Sequence, residues 1–283
     1  MITIVRSLIL FCLILPNLHP LSQTALSAGS TGITDSSENT EHDYFTLTIR
    51  NAPTLTFQFG IDYDYGVFEL SANDNGDLNN DQFISGKNFG VRHGFGVNIT
   101  AKYPLHRAGN LRLTGVFMYN RFTSKFNKVF TDVKEQDFVK YDVYSLGLGI
   151  EDNFNPGLKL RAYAGIGLMG SVISGSARIT DAEVSRGLSI NPAFRLGVNI
   201  YSGFEYLLNK NVGLSFGLKF THANLWLKKS RVSEDPLELN LNDQKVNNGQ
   251  LYSGYRQFAW GSFGFGINYY LGVNEKIYYY RKY

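Results

Sequence analysis

The chain has a single cysteine, Cys12, which lies in its first apolar stretch. A disulfide framework and a thiolate metal site are therefore both excluded from the remainder. Charge is scarce: Asp, Glu, Lys and Arg make up 18% of residues, and the formal net charge of +3 is close to balance. No basic cluster accompanies it, so nothing points to a nucleic-acid partner. Long apolar runs are missing as well. The mean hydropathy of −0.16 is that of a soluble protein, and no stretch is long enough to cross a bilayer as a helix.

What is present is glycine and aromatic surface: 29 Gly, 18 Tyr and 21 Phe in 283 residues. The N-terminus has the features of a targeting segment. Arg6 supplies a positive charge, residues 7–16 (SLILFCLILP) supply a short apolar run, and Ala25-Leu26-Ser27 is an acceptable cleavage pattern. Residues 1–27 are thus expected to be a secretory signal peptide. Its removal takes away Arg6 and leaves 26 basic residues against 24 acidic ones. The next segment, 28–52, begins rich in Ser, Thr, Gly, Asp and Glu and is expected to be flexible.

From there the chain alternates with period 2, and no helical period of comparable length competes. Eight strands are predicted, near 53–65, 89–103, 111–122, 142–152, 158–170, 193–207, 211–224 and 256–271. The last one, RQFAWGSFGFGINYYLG, shows the pattern. One row is bulky (Phe263, Phe265, Ile267, Tyr269, Leu271) and the other small (Ser262, Gly264, Gly266, Asn268), with no charge on either. Elsewhere the bulky rows include Phe89 and Val91 of the second strand, Leu148 of the fourth, Ile166 of the fifth and Phe216 of the seventh. The facing rows hold Gly, Ser, Thr, Asn and occasional charges. The connections alternate as well. Short turns at 104–110, 153–157 and 208–210 interleave with long polar stretches at 66–88, 127–141, 171–192 and 225–255.

An even number of strands, with bulky rows outward and small rows inward, predicts an all-β fold. It is a closed antiparallel up-and-down transmembrane β-barrel of eight strands, spanning 53–271, with short periplasmic turns and four long extracellular loops. Eight strands leave a lumen just wide enough for side chains to fill. Tyr63, Tyr65, Tyr119, Tyr144 and Phe258 are expected to form an aromatic girdle at the loop side, and Tyr103, Tyr206 and Tyr269 one at the turn side. A soluble eight-stranded barrel would instead turn its bulky rows inward and its charges outward, and these non-bulky rows are too glycine-rich for a water-facing exterior.

On this topology the chain resembles the small outer-membrane barrels similar to the OmpA transmembrane domain. Ser262, Gly264, Ile267 and Tyr269 also match the polar-x-Gly-x-x-hydrophobic-x-aromatic insertion signal of that family. Residues 272–283 continue past the signal as a short periplasmic tail, too short for a peptidoglycan-binding domain. The resemblance implies localisation in the outer membrane, contact with its lipid and lipopolysaccharide, and a protein partner at the loops or tail.

The inner rows carry charges that must pair or meet trapped water. Lys102, Arg112, Glu151, Lys159, Arg161 and Glu205 fall near the turns, and Asp62, Asp64, Arg92, Arg195 and Lys219 nearer the loops. Hairpin neighbourhood predicts a cluster of Arg112, Glu151, Lys159, Arg161 and Glu205 closing the periplasmic half of the lumen. Such a plug implies an envelope or surface-interaction protein, and a narrow or gated channel lined by the same groups is the alternative. Some barrels of the resembled kind are lipid-A acyltransferases or deacylases. The pieces for that chemistry are His93, His222, Ser124, Ser174 and Asp142, but no local motif joins them. No cofactor is expected, since Gly94-Phe95-Gly96 and Gly264-Phe265-Gly266 are followed by no helix. The oxygen-rich 73–81 stretch misses calcium-loop spacing.

Overall fold

The computed structural model describes residues 44–50, 52–71, 88–106, 108–127, 136–154, 156–181, 184–228, 237–241, 243–247, 250–273 and 275–281. The signal segment and the 73–81 stretch lie outside the described residues. The strands are β1 (Tyr44–Arg50), β2 (Leu55–Val67), β3 (His93–Pro104), β4 (Leu111–Asn127), β5 (Gln136–Asn153), β6 (Leu160–Asp181) and β7 (Val184–Leu207). They continue with β8 (Val212–Trp226), β9 (Glu238–Asn240), β10 (Gln244–Asn247), β11 (Gln250–Tyr255), β12 (Ala259–Leu271) and β13 (Glu275–Arg281).

Eight of these strands close on themselves. β2 to β8 each pair antiparallel with the next, β8 pairs with β12, and β12 returns to β2 over Ala259↔Val67 to Leu271↔Leu55. Closure leaves the cylinder no free edge, the condition a sheet must meet to cross a bilayer. No helix among the described residues is long and apolar enough to do so. The outer face explains the bulky rows. Leu146 and Leu148 are each 69% exposed, Leu168 64% and Leu218 59%, within an apolar band that runs round the barrel. Water does not tolerate a patch of that extent, so the band is the lipid-facing surface.

The inner rows are small where a neighbour is large. A Cβ at Gly165 would meet the Tyr201 ring at 2.5 Å, and one at Gly217 would meet the Tyr163 hydroxyl at 2.7 Å. Side chains on the inward row thus replace water as the filling of the cylinder.

The long-loop end departs from expectation. The predicted 171–192 loop is instead a continuation of the β6–β7 hairpin, paired as far as Asp181↔Val184. Parts of 127–141 and 225–255 are also strand, in β5 and in β9 to β11. These segments read as polar because above the lipid band their outward residues face water. Many of their inward residues are apolar: Val139, Tyr141, Ile173, Ala177 and Ile179 join Phe122, Val143, Phe258 and Trp260 in a buried cluster. Phe89, Val91 and Phe258, expected on the lipid-facing side, belong to this cluster too, and Ala259 is fully buried. A large apolar side chain beyond the membrane lowers its free energy by turning inward.

Residues 44–50 and 275–281, expected within a flexible segment and a tail, pair as a two-stranded sheet that forms a unit of its own.

Phe216 sits midway along β8, its ring centroid 5.0 Å from that of Phe265. Phe216→Arg should destabilise the folded barrel by about 2–4 kcal/mol, the penalty of a lipid-facing cation near the midplane. Denaturant titration in lipid vesicles measures it, and an unchanged midpoint would mean that the two faces are reversed.

Candidate functional site

The lumen is filled in layers. At the short-turn end, Lys102 of β3 and Arg112 of β4 share two carboxylates, Glu151 of β5 and Glu205 of β7. Lys102 Nζ lies 2.7 Å from Glu205 and 3.1 Å from Glu151. Arg112 donates to Glu205 through Nη1 at 3.2 Å and Nη2 at 3.1 Å, and it also pairs with Glu151. All four are at most 3% exposed. Two cations facing two carboxylates neutralise the layer, which is what burial of charge requires. Lys102 Nζ also stands 4.5 Å over the Tyr163 ring.

Register explains part of this arrangement. Arg112 and Glu151 are direct cross-strand partners on β4 and β5, as are Arg161 and Glu205 on β6 and β7. Glu205 nonetheless takes its ion pairs from Lys102 and Arg112, which reach it across the cylinder. Arg161 is buried, donates from Nε to the Leu158 carbonyl at 3.0 Å and lies over the Tyr270 ring. Lys159, expected in the same cluster, is exposed on the turn and stands 5.7 Å over the Tyr206 ring. It precedes the first residue of β6, so the strand's alternation does not reach it. Lys102, counted among the inner charges but not in the expected cluster, is one of its central members.

The second layer lies nearer the long loops. Asp62 of β2 receives Lys219 Nζ at 2.8 and 2.9 Å and Asn98 Nδ2 at 2.6 Å. β12 runs between β2 and β8, and a Cβ at its Gly264 would collide with the Asp62 carboxylate. Glycine there opens the way for Asp62 to reach Lys219. Asp64 is fully buried, taking Ser262 Oγ at 2.6 Å and Asn120 Nδ2 at 2.7 Å. Between the two charged layers lies a cavity of about 30 Å³ lined by Gln58, Thr100, Thr114, Asn199 and Tyr201 among others. That is room for a water molecule or two, not for a continuous column.

Above the second layer the apolar cluster forms a lid. Phe122 packs against Trp260 at 5.3 Å between ring centroids, and Phe89 against Phe258 at 5.1 Å. Further out, Arg195 Nε donates to Asp243 at 2.5 Å and its Nη2 to the Leu241 carbonyl at 3.0 Å. Asn224 donates to Asp243 and to the Arg256 carbonyl, each at 3.0 Å, and the Arg256 guanidinium stands 4.3 Å over Phe89. Burial raises the Asp243 carboxyl above its ordinary range, with the Arg195 guanidinium pulling against it. Arg92 is half-buried at this end, its carbonyl accepting the Gly66 N–H at 2.6 Å. The Arg195 and Asn224 contacts with Leu241 and Asp243 tie the β8–β12 connection to the barrel rim.

Two of the residues considered for catalysis are engaged with other side chains. His93 Nδ1 shares a 2.6 Å hydrogen bond with Tyr63 on the outer face, and Asp142 binds Tyr119, Arg121 and Lys140. Among the described residues no group of three His, Cys, Asp or Glu is placed to hold a metal.

Fold and lumen together define a class: a closed, eight-stranded, membrane-spanning β-barrel whose interior is filled by its own side chains. No family model matches the chain, and no curated protein does. Solved structures similar to it include Neisserial surface protein A, at 15% identity over 77% of this chain and 97% of that one, with a TM-score of 0.42. The attachment invasion locus protein Ail of Yersinia pestis is similar at 10% identity over 77% and 98%, TM-score 0.38. OprG from Pseudomonas aeruginosa is similar at 11% over 77% and 96%, TM-score 0.38.

Glu205→Gln should leave Lys102 and Arg112 with one carboxylate between them and destabilise the barrel by about 3–5 kcal/mol. Lys159→Ala, on the exposed turn, should stay within about 0.5 kcal/mol of wild type. Unfolding midpoints of the two variants in the same detergent check the contrast.

Proposed function

We propose that the chain is an outer-membrane barrel that neither conducts nor catalyses and acts from its long-loop end, in envelope structure or in binding a partner. The observation that carries this reading is the stacking of three closures in one lumen: the ion-pair layer, the Asp62–Lys219 layer and the aromatic lid. A solute would have to break all three to pass. A lumen so filled leaves the surface beyond the lipid band as the part free to engage other molecules. In this reading the short turns face the periplasm and the long connections the exterior.

The narrow-channel alternative draws on the small cavity between the charged layers, and conductance separates the two. Purified protein in planar bilayers should carry no steady current, and neither should Trp260→Ala, because the ion-pair layer remains beneath the opened lid. Steady wild-type current would overturn the closed-lumen reading.

Orientation has its own test. Leu237 is exposed in the β8–β12 connection and Leu158 on a short turn. A membrane-impermeant maleimide should label Leu237→Cys on intact cells, and Leu158→Cys only after lysis. The reverse pattern would invert the assignment.

A further inference from the structure

The outward rows of β2, β3, β8 and β12 contain no Asp, Glu, Lys or Arg. The neighbouring strands β4, β5 and β6 differ at their long-loop ends. Tyr119 and Tyr144 face each other there across β4 and β5, ring centroids 4.9 Å apart, and mark the edge of the lipid band. The next outward pair is Arg121 with Asp142, then Thr123 with Lys140, then Lys125 with Phe138, which also pairs with Arg178 of β6. Each step is two residues, about 7 Å along a strand. Four cations thus begin one step beyond the aromatic belt, at the level of lipid headgroups.

Their placement is held by neighbours. Arg121 Nε donates to Asp142 at 2.7 Å, Lys140 Nζ lies 3.2 Å from the same carboxylate, and the Tyr119 hydroxyl donates to it at 2.7 Å. The Arg178 guanidinium stands 5.6 Å over the Phe138 ring. Among the described residues, one carboxylate stands against four cations, and the patch is net positive. Below it, past the Tyr119–Tyr144 pair, lie Phe117, Leu146 and, a step deeper, Leu168, all lipid-facing.

We propose that this patch is a binding site for a phosphorylated glycolipid of the outer leaflet, of the lipopolysaccharide type. The inference rests on the outer-membrane reading above. Arginine forks and lysine ammonium groups match phosphate oxygens. The patch is continuous with the lipid face, so a molecule bound to it can lay acyl chains on Leu146 and Leu168 while its phosphates meet Arg121, Lys125, Lys140 and Arg178. That continuity favours a lipid over a protein as the occupant. The charge favours a lipid with several phosphates over one with a single phosphate or a compensating ammonium group.

The test compares wild type with a variant combining Arg121→Gln, Lys125→Gln, Lys140→Gln and Arg178→Gln. Each protein is examined in micelles by native mass spectrometry against bisphosphorylated lipid A, dephosphorylated lipid A, phosphatidylglycerol and inorganic phosphate. Wild type should retain the bisphosphorylated lipid at least about tenfold more tightly than the other three, and the variant should lose that preference. Equal retention of the lipids, equal retention of free phosphate, or a variant that keeps the preference would overturn the site. Heat-modifiable migration on unboiled gels shows whether each barrel is folded. A folded wild type without the preference removes the glycolipid site alone, whereas a wild type that does not insert into bilayers removes the outer-membrane reading and this site with it.

Discussion

Everything inside this barrel follows from the width that eight strands allow. A cylinder of that size holds side chains and almost no water, so each inward residue must be matched in volume and in charge by residues on other strands. Volume is matched by pairing large with absent side chains, as where Tyr201 lies on Gly165 and Tyr163 reaches Gly217. Charge is matched across the cylinder as well as along the sheet: Lys102 and Arg112 meet Glu205 from the far side. Removing either carboxylate leaves excess positive charge in a space without solvent, which is why the layer acts as one unit.

The second constraint is that each long strand passes through two solvents. On β5 the outward residues Ile150, Leu148, Leu146 and Tyr144 give way to Asp142 and Lys140, while the inward residues Ser145, Gly147 and Gly149 give way to Val143, Tyr141 and Val139. The side-chain period never changes, but what each face prefers reverses where lipid ends. In the bilayer the outside is apolar and the interior polar and small. Above it the strands obey the rule of a soluble barrel, with an apolar core and a polar surface. The aromatic lid is therefore the beginning of a conventional hydrophobic core, built on the same strands that cross the membrane.

This reversal accounts for what the sequence reading could and could not find. The eight strands are legible because a lipid-facing row of Leu, Ile and Phe alternating with Gly and Ser is a strong period-2 signal. Their upper ends are not, since the bulky residues cross to the inner row there: the pattern puts Phe89 and Val91 on the outer row and Phe258 in the outer girdle, and the polar β6–β7 extension has the composition of a loop. Within the lumen, Arg112 and Glu151 could be placed together because a hairpin sets their register. Lys102 was missed as a partner of Glu205 because contacts across a cylinder depend on its curvature, which no local pattern encodes. Lys159 was misplaced by one step, the alternation having been carried past the start of β6 into a turn.

A filled interior also limits where chemistry can occur. Buried carboxylates are held by their neighbours: Asp62 by Lys219 and Asn98, Asp64 by Ser262 and Asn120, Glu205 by Lys102 and Arg112. A ligand entering the lumen would have to replace those bonds with equally good ones in the same narrow space, at the full cost of any group left unpaired. On the outer surface the cost is smaller. The cations of β4 to β6 are at least partly solvated, and Asp142 pairs with Arg121 and Lys140, so an incoming phosphate adds interactions without breaking a buried layer. On the function proposed above, the architecture that closes the lumen leaves recognition to the outer surface beyond the lipid band, where Arg121, Lys125, Lys140 and Arg178 are gathered on β4 to β6.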